Sequence, residues 1–208
     1  MAKARFFYAL RPDSGAAGEL AAIAAQAAAR WGGRAFAAPD IHLTLAFMGM
    51  QPLEDRPALE AILHGLPSQY GGASGTRDAA ADDPPIDDVD TLAALELSRI
   101  GSFGHGVLWV GPAKPPGAAS PAPPFVHRLA RQIRERLRTA GIAFDDRPLK
   151  LHATIVRGAR GFVEDRVSVT GLPVIARSWS LALGASTPGS TPQRRYSWWG
   201  PPATGTPS

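Results

Sequence analysis

Ile41-His42-Leu43-Thr44-Leu45 and Leu151-His152-Ala153-Thr154-Ile155 are two segments of one chain that carry nearly the same message. Each sets a histidine and a threonine two residues apart, with apolar residues before, between and after. Alternate side chains of a β-strand leave opposite faces, so in each segment the imidazole and the hydroxyl share one face while the apolar neighbours enter a core. The repetition predicts one composite site built from two strands that meet.

Working outward, 208 residues suit one domain of ordinary size or two intimately packed lobes. Hydrophobic residues make up 45% of the chain, yet no apolar run approaches the ~18–20 residues that cross a bilayer. The first ten residues are soon followed by Arg11 and Asp13 and lack the long apolar stretch of a signal peptide, so a cytoplasmic protein is expected. Cysteine is absent, which removes disulfides, thiol nucleophiles and cysteine-based metal sites together. The net charge of +4 is unevenly spread. Residues 71–90 hold Arg77 and six aspartates, net −5, leaving 21 basic and 12 acidic residues elsewhere, net +9. A phosphate-bearing partner fits that basic body, and simple solubility fits it equally well.

Residues 4–10 are β-prone, and Arg11-Pro12-Asp13-Ser14 then breaks the strand and offers caps for a helix running to about Arg30. Leu20, Ile23, Ala24 and Ala27 give that helix a buried stripe. A second helix starts near Pro57, with Leu59, Ile62, Leu63 and Leu66 on its apolar face. The acidic 71–90 segment lacks apolar periodicity and reads as an inserted, solvated loop. Residues 91–98 and 107–110 are expected to pair as a hairpin about the glycine-rich turn at 101–106. A third helix, about 124–140, places Phe125, Leu129, Ile133 and Leu137 inward and five arginines on what reads as a solvated outer face. Strands at 180–185 and 195–199 close the chain before a Pro-rich tail at 200–208, expected to be disordered. Strands and helices are interspersed, with hairpins in place of regular βαβ units, which defines an α+β pattern. His64, His105 and His127 have no patterned partner and read as a surface or half-buried residue, a turn residue and an exposed helix residue.

A neutral imidazole takes a proton and an imidazolium gives one, and histidine's pKa of ~6.5 allows both states near neutrality. Threonine hydroxyls donate hydrogen bonds to an anion lying between them. Two such histidines and two such hydroxyls are equipped to open a cyclic phosphodiester. Two strand histidines hydrogen-bonded in a core would be the structural alternative, but paired threonines have no packing rationale there. Two distant histidines without a patterned carboxylate make a weak zinc site, so no metal and no cofactor is expected.

At these residues the sequence resembles the two-histidine (2H) phosphoesterase superfamily, and within it the RNA 2′,3′-cyclic phosphodiesterases, also called 2′-5′ RNA ligases or LigT-like proteins. The run from Pro39 through His42 and Thr44 to Gly49 is similar to the family's first motif, and the run from His152 to Arg157 is similar to its second. The strands at 5–10 and 107–111 look like the family's first and central strands. The chain departs from the pattern at Leu151, where proline is usual, and in the 71–90 insertion. It departs again in a longer 112–124 crossover and in a last strand only loosely similar through Ser186 and Tyr196.

The resemblance implies an α+β, bilobal LigT-like fold over residues 1–208: two antiparallel sheets backed by helices, related by a pseudo-two-fold axis about a central cleft. It implies hydrolysis of an RNA or nucleotide 2′,3′-cyclic phosphate end to a 2′-phosphate, by a monomer with no membrane partner. His152 would activate water, His42 would protonate the leaving oxygen, and Thr44, Thr154 and Arg157 would hold the phosphate. A 2′-5′ RNA ligase or 2′-5′ oligonucleotide phosphodiesterase, and a non-catalytic RNA-end binding module, are the alternatives. Arg34, Phe7, Phe47 and Trp109 could line the cleft against a nucleotide, while Phe7 and Phe47 suit core packing at least as well. Arg157 poses a parity problem, because in a regular strand it would share the core face with Ala153 and Ile155. Either the strand ends or bulges before Gly158, which is the expectation adopted on glycine's permissive backbone, or Arg157 is structural.

Overall fold

The computed structural model describes residues 2–71, 94–113, 124–163, 169–186 and 195–201. The acidic segment from residue 72 on, the middle of the 112–124 crossover and the tail past 201 lie outside the described residues. Strand β1 (Lys3–Pro12) buries Phe6, Tyr8 and Leu10 completely. At its end Asp13 caps helix α1 (Ser14–Trp31), its carboxylate accepting the Ala16 N–H at 2.9 Å. The stripe of Leu20, Ile23, Ala24 and Ala27 is buried as the spacing predicts. The two-residue strand β2 (Arg34–Ala35) leads into β3 (Leu43–Pro52), which carries the first motif. Helix α2 (Arg56–Ala61) and strand β4 (Gln69–Tyr70) follow.

The later part of the chain adds β5 (Leu95–Leu97), β6 (Arg99–Ser102), β7 (Leu108–Gly111), helix α3 (Pro124–Thr139) and β8 (Ala153–Arg157). Strands β9 (Val174–Ala176), β10 (Trp179–Ser186) and β11 (Ser197–Trp199) complete it. The main sheet runs β11-β10-β1-β3-β8-β7-β6, with β2 also on β8 and β4 also on β10. All of its pairings are antiparallel, and β5 and β9 form a separate small sheet. The architecture is α+β.

Two strand-helix-strand runs, β1-α1-β3 and β7-α3-β8, sit back to back about the centre of the main sheet. The motif strands β3 and β8 are the inner pair and meet at a single residue pair, Leu43 opposite Ala153. The helices cross over: α1 packs against β8 and α3 against β3, so each half covers the other's motif strand. This arrangement makes one core of the two halves, and a chain cut between them would leave both motif strands uncovered.

Three expectations are revised. The strand read at 91–98 does not simply pair with 107–110: its first part, β5, joins β9, and only β6 makes the hairpin with β7. Ser98 sits between the two strands, so the chain changes sheets there. Helix α2 is only six residues long, and turns continue to Leu66, yet Leu59, Ile62, Leu63 and Leu66 are all buried. Hydrophobic burial survived where helical geometry did not. The arginines of α3 are also not a uniformly solvated face. Arg136 donates to the Ile62 and His64 carbonyls at 2.8 and 2.7 Å, and Arg138 pairs with Glu135 and Asp146.

Arg134 reaches furthest, donating from Nε to the Leu45 carbonyl at 3.3 Å and from its terminal nitrogen to the Arg147 carbonyl at 3.0 Å. It thereby ties α3 to the first motif segment and to the stretch that leads into the second. Replacing Arg134 by methionine strands a carbonyl inside the first motif, and a loss of about 1–3 kcal/mol is expected in chemical denaturation. An unchanged midpoint and slope would show that water serves the carbonyl as well.

Candidate active site

In the antiparallel pair Leu43–Ala153, continuing the register by one residue each way sets His42 opposite Thr154 and Thr44 opposite His152. Leu43 and Ala153 point into the core, at 0% and 1% exposure, so the four polar side chains share the other face. That face opens on a cleft of about 630 Å³ lined by His42, Thr44, His152 and Thr154 together with Arg34, Arg157, Phe7 and Phe47. Every residue singled out for the site from sequence, apart from Trp109, lines this one cleft. Trp109 stands beside His152, ring centroids 6.4 Å apart, and stacks on Phe103.

The parity problem at Arg157 is resolved by a β-bulge. Trp109 pairs with Thr154 and Leu108 with Val156, so Ile155 is an extra residue in β8. Parity flips after it: Val156 is buried and Arg157 emerges in the cleft. Strand β3 does the same one residue after its threonine. Ala9 pairs with Thr44 and Tyr8 with Ala46, leaving Leu45 extra, and Phe47 emerges in the cleft at 39% exposure. Phe47 and Arg157 are therefore equivalent positions of the two halves. The bulge turned Phe47 away from the core packing that strict alternation gives it. Phe7 does both things at once, 4% exposed and stacked on the His42 ring at 4.8 Å.

The two imidazoles are held alike. Nδ1 of His42 lies 2.7 Å from the Asp40 carbonyl oxygen, and Nδ1 of His152 lies 2.6 Å from that of Lys150. A carbonyl only accepts, so each Nδ1 donates and each neutral ring keeps Nε2 free for proton transfer. Their surroundings differ. His42 is enclosed by Phe7, Tyr196 and Trp198, whereas His152 touches Phe103 edge-on at 4.6 Å, and Phe103 is itself exposed. Burial pushes His42 down to about 4, the Asp40 carbonyl opposes this, and the charges of His152, Arg157 and Arg11 lower it further. Burial also lowers His152, again opposed by its carbonyl bond. Burial thus favours the neutral form of both rings in the free protein, and a bound anion would favour their protonation.

Close packing around His42 depends on Gly184, opposite Phe7 in β10. A Cβ there would lie 2.5 Å from the Phe7 ring and 2.7 Å from that of Trp198. Gly101, opposite Trp109 in β6, leaves comparable room beside His152, since a Cβ would fall 2.3 Å from the indole. These glycines carry no motif: from sequence Gly101 belongs to a turn and Gly184 to a strand, with no role at the site. From sequence Arg195, Phe103 and Asp40 stand only within a strand, a turn and the first-motif run, and their importance comes from neighbours distant in the chain. Tyr196 was legible as a point of loose likeness to the family's last strand, and Trp198 only as part of that strand. Among the described residues no group of three histidine or acidic side chains is placed to hold a metal ion, and no helix is long and apolar enough to cross a membrane.

A pair of half-sheets that presents two histidines and two threonines to one cleft defines the class of fold. It is the fold of LigT. The chain superimposes on Escherichia coli LigT complexed with 3′-AMP with a TM-score of 0.61, 21% identity and 95% of each chain covered. A crystal structure described as a phosphoesterase gives 0.61, 22% identity, and 95% of this chain and 94% of that one. TT0787 of Thermus thermophilus gives 0.57 with 20% identity and 94% of each chain. No family model matches the sequence, and no curated protein matches it.

Two outcomes are expected here. An unfolded chain protonates His42 near 6.5, while the fold holds the proton off until about 4, so the unfolded state binds more protons in that window. His42 therefore leaves stability unaffected above 6.5 and erodes it as pH falls towards 4. Melting curves of His42→Gln between pH 7 and 4 should fall less steeply than those of the unaltered protein; parallel slopes would contradict the burial argument. Gly184→Ala should cost about 1–3 kcal/mol from overpacking and shift the His42 ring resonances in NMR spectra. Unmoved resonances would show that Phe7 yields elsewhere.

Proposed function

We propose that this protein is an RNA 2′,3′-cyclic phosphodiesterase of the 2H phosphoesterase superfamily, acting without a cofactor on an RNA or nucleotide end and leaving a 2′-phosphate. The reading takes residues 1–208 as a single bilobal domain that works as a cytoplasmic monomer. The observation that carries it is the matched pair of imidazoles flanking one cleft, each with Nδ1 tied to a carbonyl and Nε2 free, beside two hydroxyls and an arginine.

In this mechanism Thr44, Thr154 and Arg157 grip the non-bridging oxygens and stabilise the charge that builds on them in the transition state. The incoming anion raises the proton affinity of both imidazoles, so the site takes up a proton as substrate binds. His152, on the more open side, removes a proton from water as it attacks phosphorus. His42, in the aromatic enclosure, delivers its proton to the departing 3′ oxygen. Support comes from the fold shared with E. coli LigT, which has been crystallised with 3′-AMP and with phosphate.

Incubation with a nucleoside 2′,3′-cyclic phosphate in EDTA should yield the 2′-phosphate. His42→Ala and His152→Ala should each lower the rate ~10²–10⁴-fold with the fold intact by circular dichroism. A 3′-phosphate product contradicts the assigned leaving group, and near-normal activity in either variant removes the acid and base roles. Tight binding without turnover would make the protein an RNA-end binding module, and joining of ends would make it a ligase.

A further inference from the structure

The cleft holds more positive charge than one phosphodiester requires. Arg5, Arg34, Arg157 and Arg195 all line it, and among the described residues none of them is in ion-pair contact with a carboxylate. Arg34 and Arg157 are direct cross-strand partners in the β2–β8 pair, a like-charged arrangement that disfavours pairing. Arg195 is only 8% exposed. Its guanidinium lies over the Phe36 ring at 4.2 Å, Arg157 lies over the same ring at 5.8 Å, and Arg195 also donates to the Ala35 carbonyl at 3.4 Å. A neutral ring and a carbonyl thus hold two guanidiniums together.

Asp40 is the carboxylate nearby; its charge and that of Arg195 attract, but among the described residues the two make no ion-pair contact. At 3% exposure Asp40 lies against the backbone N–H groups of Arg195 and Tyr196, which fixes the segment that carries Arg195, and among the described residues its Oδ2 has no hydrogen-bond partner. Desolvating a guanidinium beside two others is unfavourable unless an anion joins them. A cyclic phosphate brings one negative charge, and Arg157 with the histidines and threonines meets it. Arg5, Arg34 and Arg195 remain, and of these Arg34 is the cross-strand partner of Arg157 while Arg195 shares the Phe36 ring with it.

We propose that Arg34 and Arg195 form a second phosphate subsite, so that the preferred substrate carries a further phosphoryl group on O5′ of the nucleotide whose 2′,3′-cyclic phosphate reacts. The location of the first phosphate rests on the phosphodiesterase reading. The second group has two chemical sources, a free 5′-phosphate or the diester linking the preceding nucleotide, and both present anionic oxygens to planar donors.

Calorimetric titration of the full chain separates these possibilities without needing turnover. The ligands are a nucleoside 2′-monophosphate, the same nucleoside 2′,5′-bisphosphate, and a dinucleotide ending in a 2′-phosphate. Either or both of the last two should bind about tenfold or more tightly than the monophosphate, with an advantage that shrinks as salt is raised. The tighter of the two names the source. Arg34→Gln, a change at an exposed position, should reduce that ratio by about fivefold or more, and Arg195→Gln should do likewise if it folds. Equal affinity for all three ligands, or a ratio untouched by Arg34→Gln, overturns the subsite. Absence of hydrolysis with the preference retained would instead remove the catalytic reading and leave the subsite standing.

Discussion

Leu43 and Ala153 are the residues at which β3 and β8 pair, and the site is arranged around that junction. In an antiparallel pair, a His-x-Thr on each strand centred on the same junction puts each histidine across from the other strand's threonine. The backbone positions of the two histidines are then about 8 Å apart on one face, which leaves room for a phosphoryl group between their rings. No loop has to be positioned to achieve this. The packing of α1 on β8 and α3 on β3 holds the junction closed from behind, so the site is as rigid as the core beneath it.

The bulges at Leu45 and Ile155 turn this symmetric scaffold into an asymmetric site. Each flips the parity of its strand just after the motif threonine, and each brings one more side chain to the cleft. In one half that side chain is Phe47 and in the other Arg157. The carbonyls at the bulges are satisfied differently, Leu45 by Arg134 and Ile155 by the backbone N–H of Phe36 at 2.8 Å. The aromatic enclosure around His42 and the open edge of His152 at Phe103 extend the same asymmetry to the two imidazoles. A near-palindromic scaffold thus carries a cleft with unlike ends.

Much of this was legible in the sequence because it depends on local periodicity. The period-two pattern of the motif segments, the stripe of α1 and the four-residue spacing in α3 each specify a face before any partner is known. The pairing of β5 with β9, the shortness of α2 and the destinations of Arg134 and Arg136 were not legible. Each is a choice among partners far apart in the chain, and local propensity is nearly silent on such choices.

By itself the sequence determined that two His/Thr strands would turn their polar residues to one side and their apolar residues to a shared core, because alternation is a property of the extended backbone. Only the tertiary structure decided which residues join them. Arg157 and Phe47 reach the cleft through bulges that appear only when strands are paired, and Arg195 arrives from the far end of the chain, held by Asp40 and Phe36. Side-chain direction after a bulge and the desolvation of a guanidinium are both consequences of neighbours, so they exist only once the chain has closed on itself.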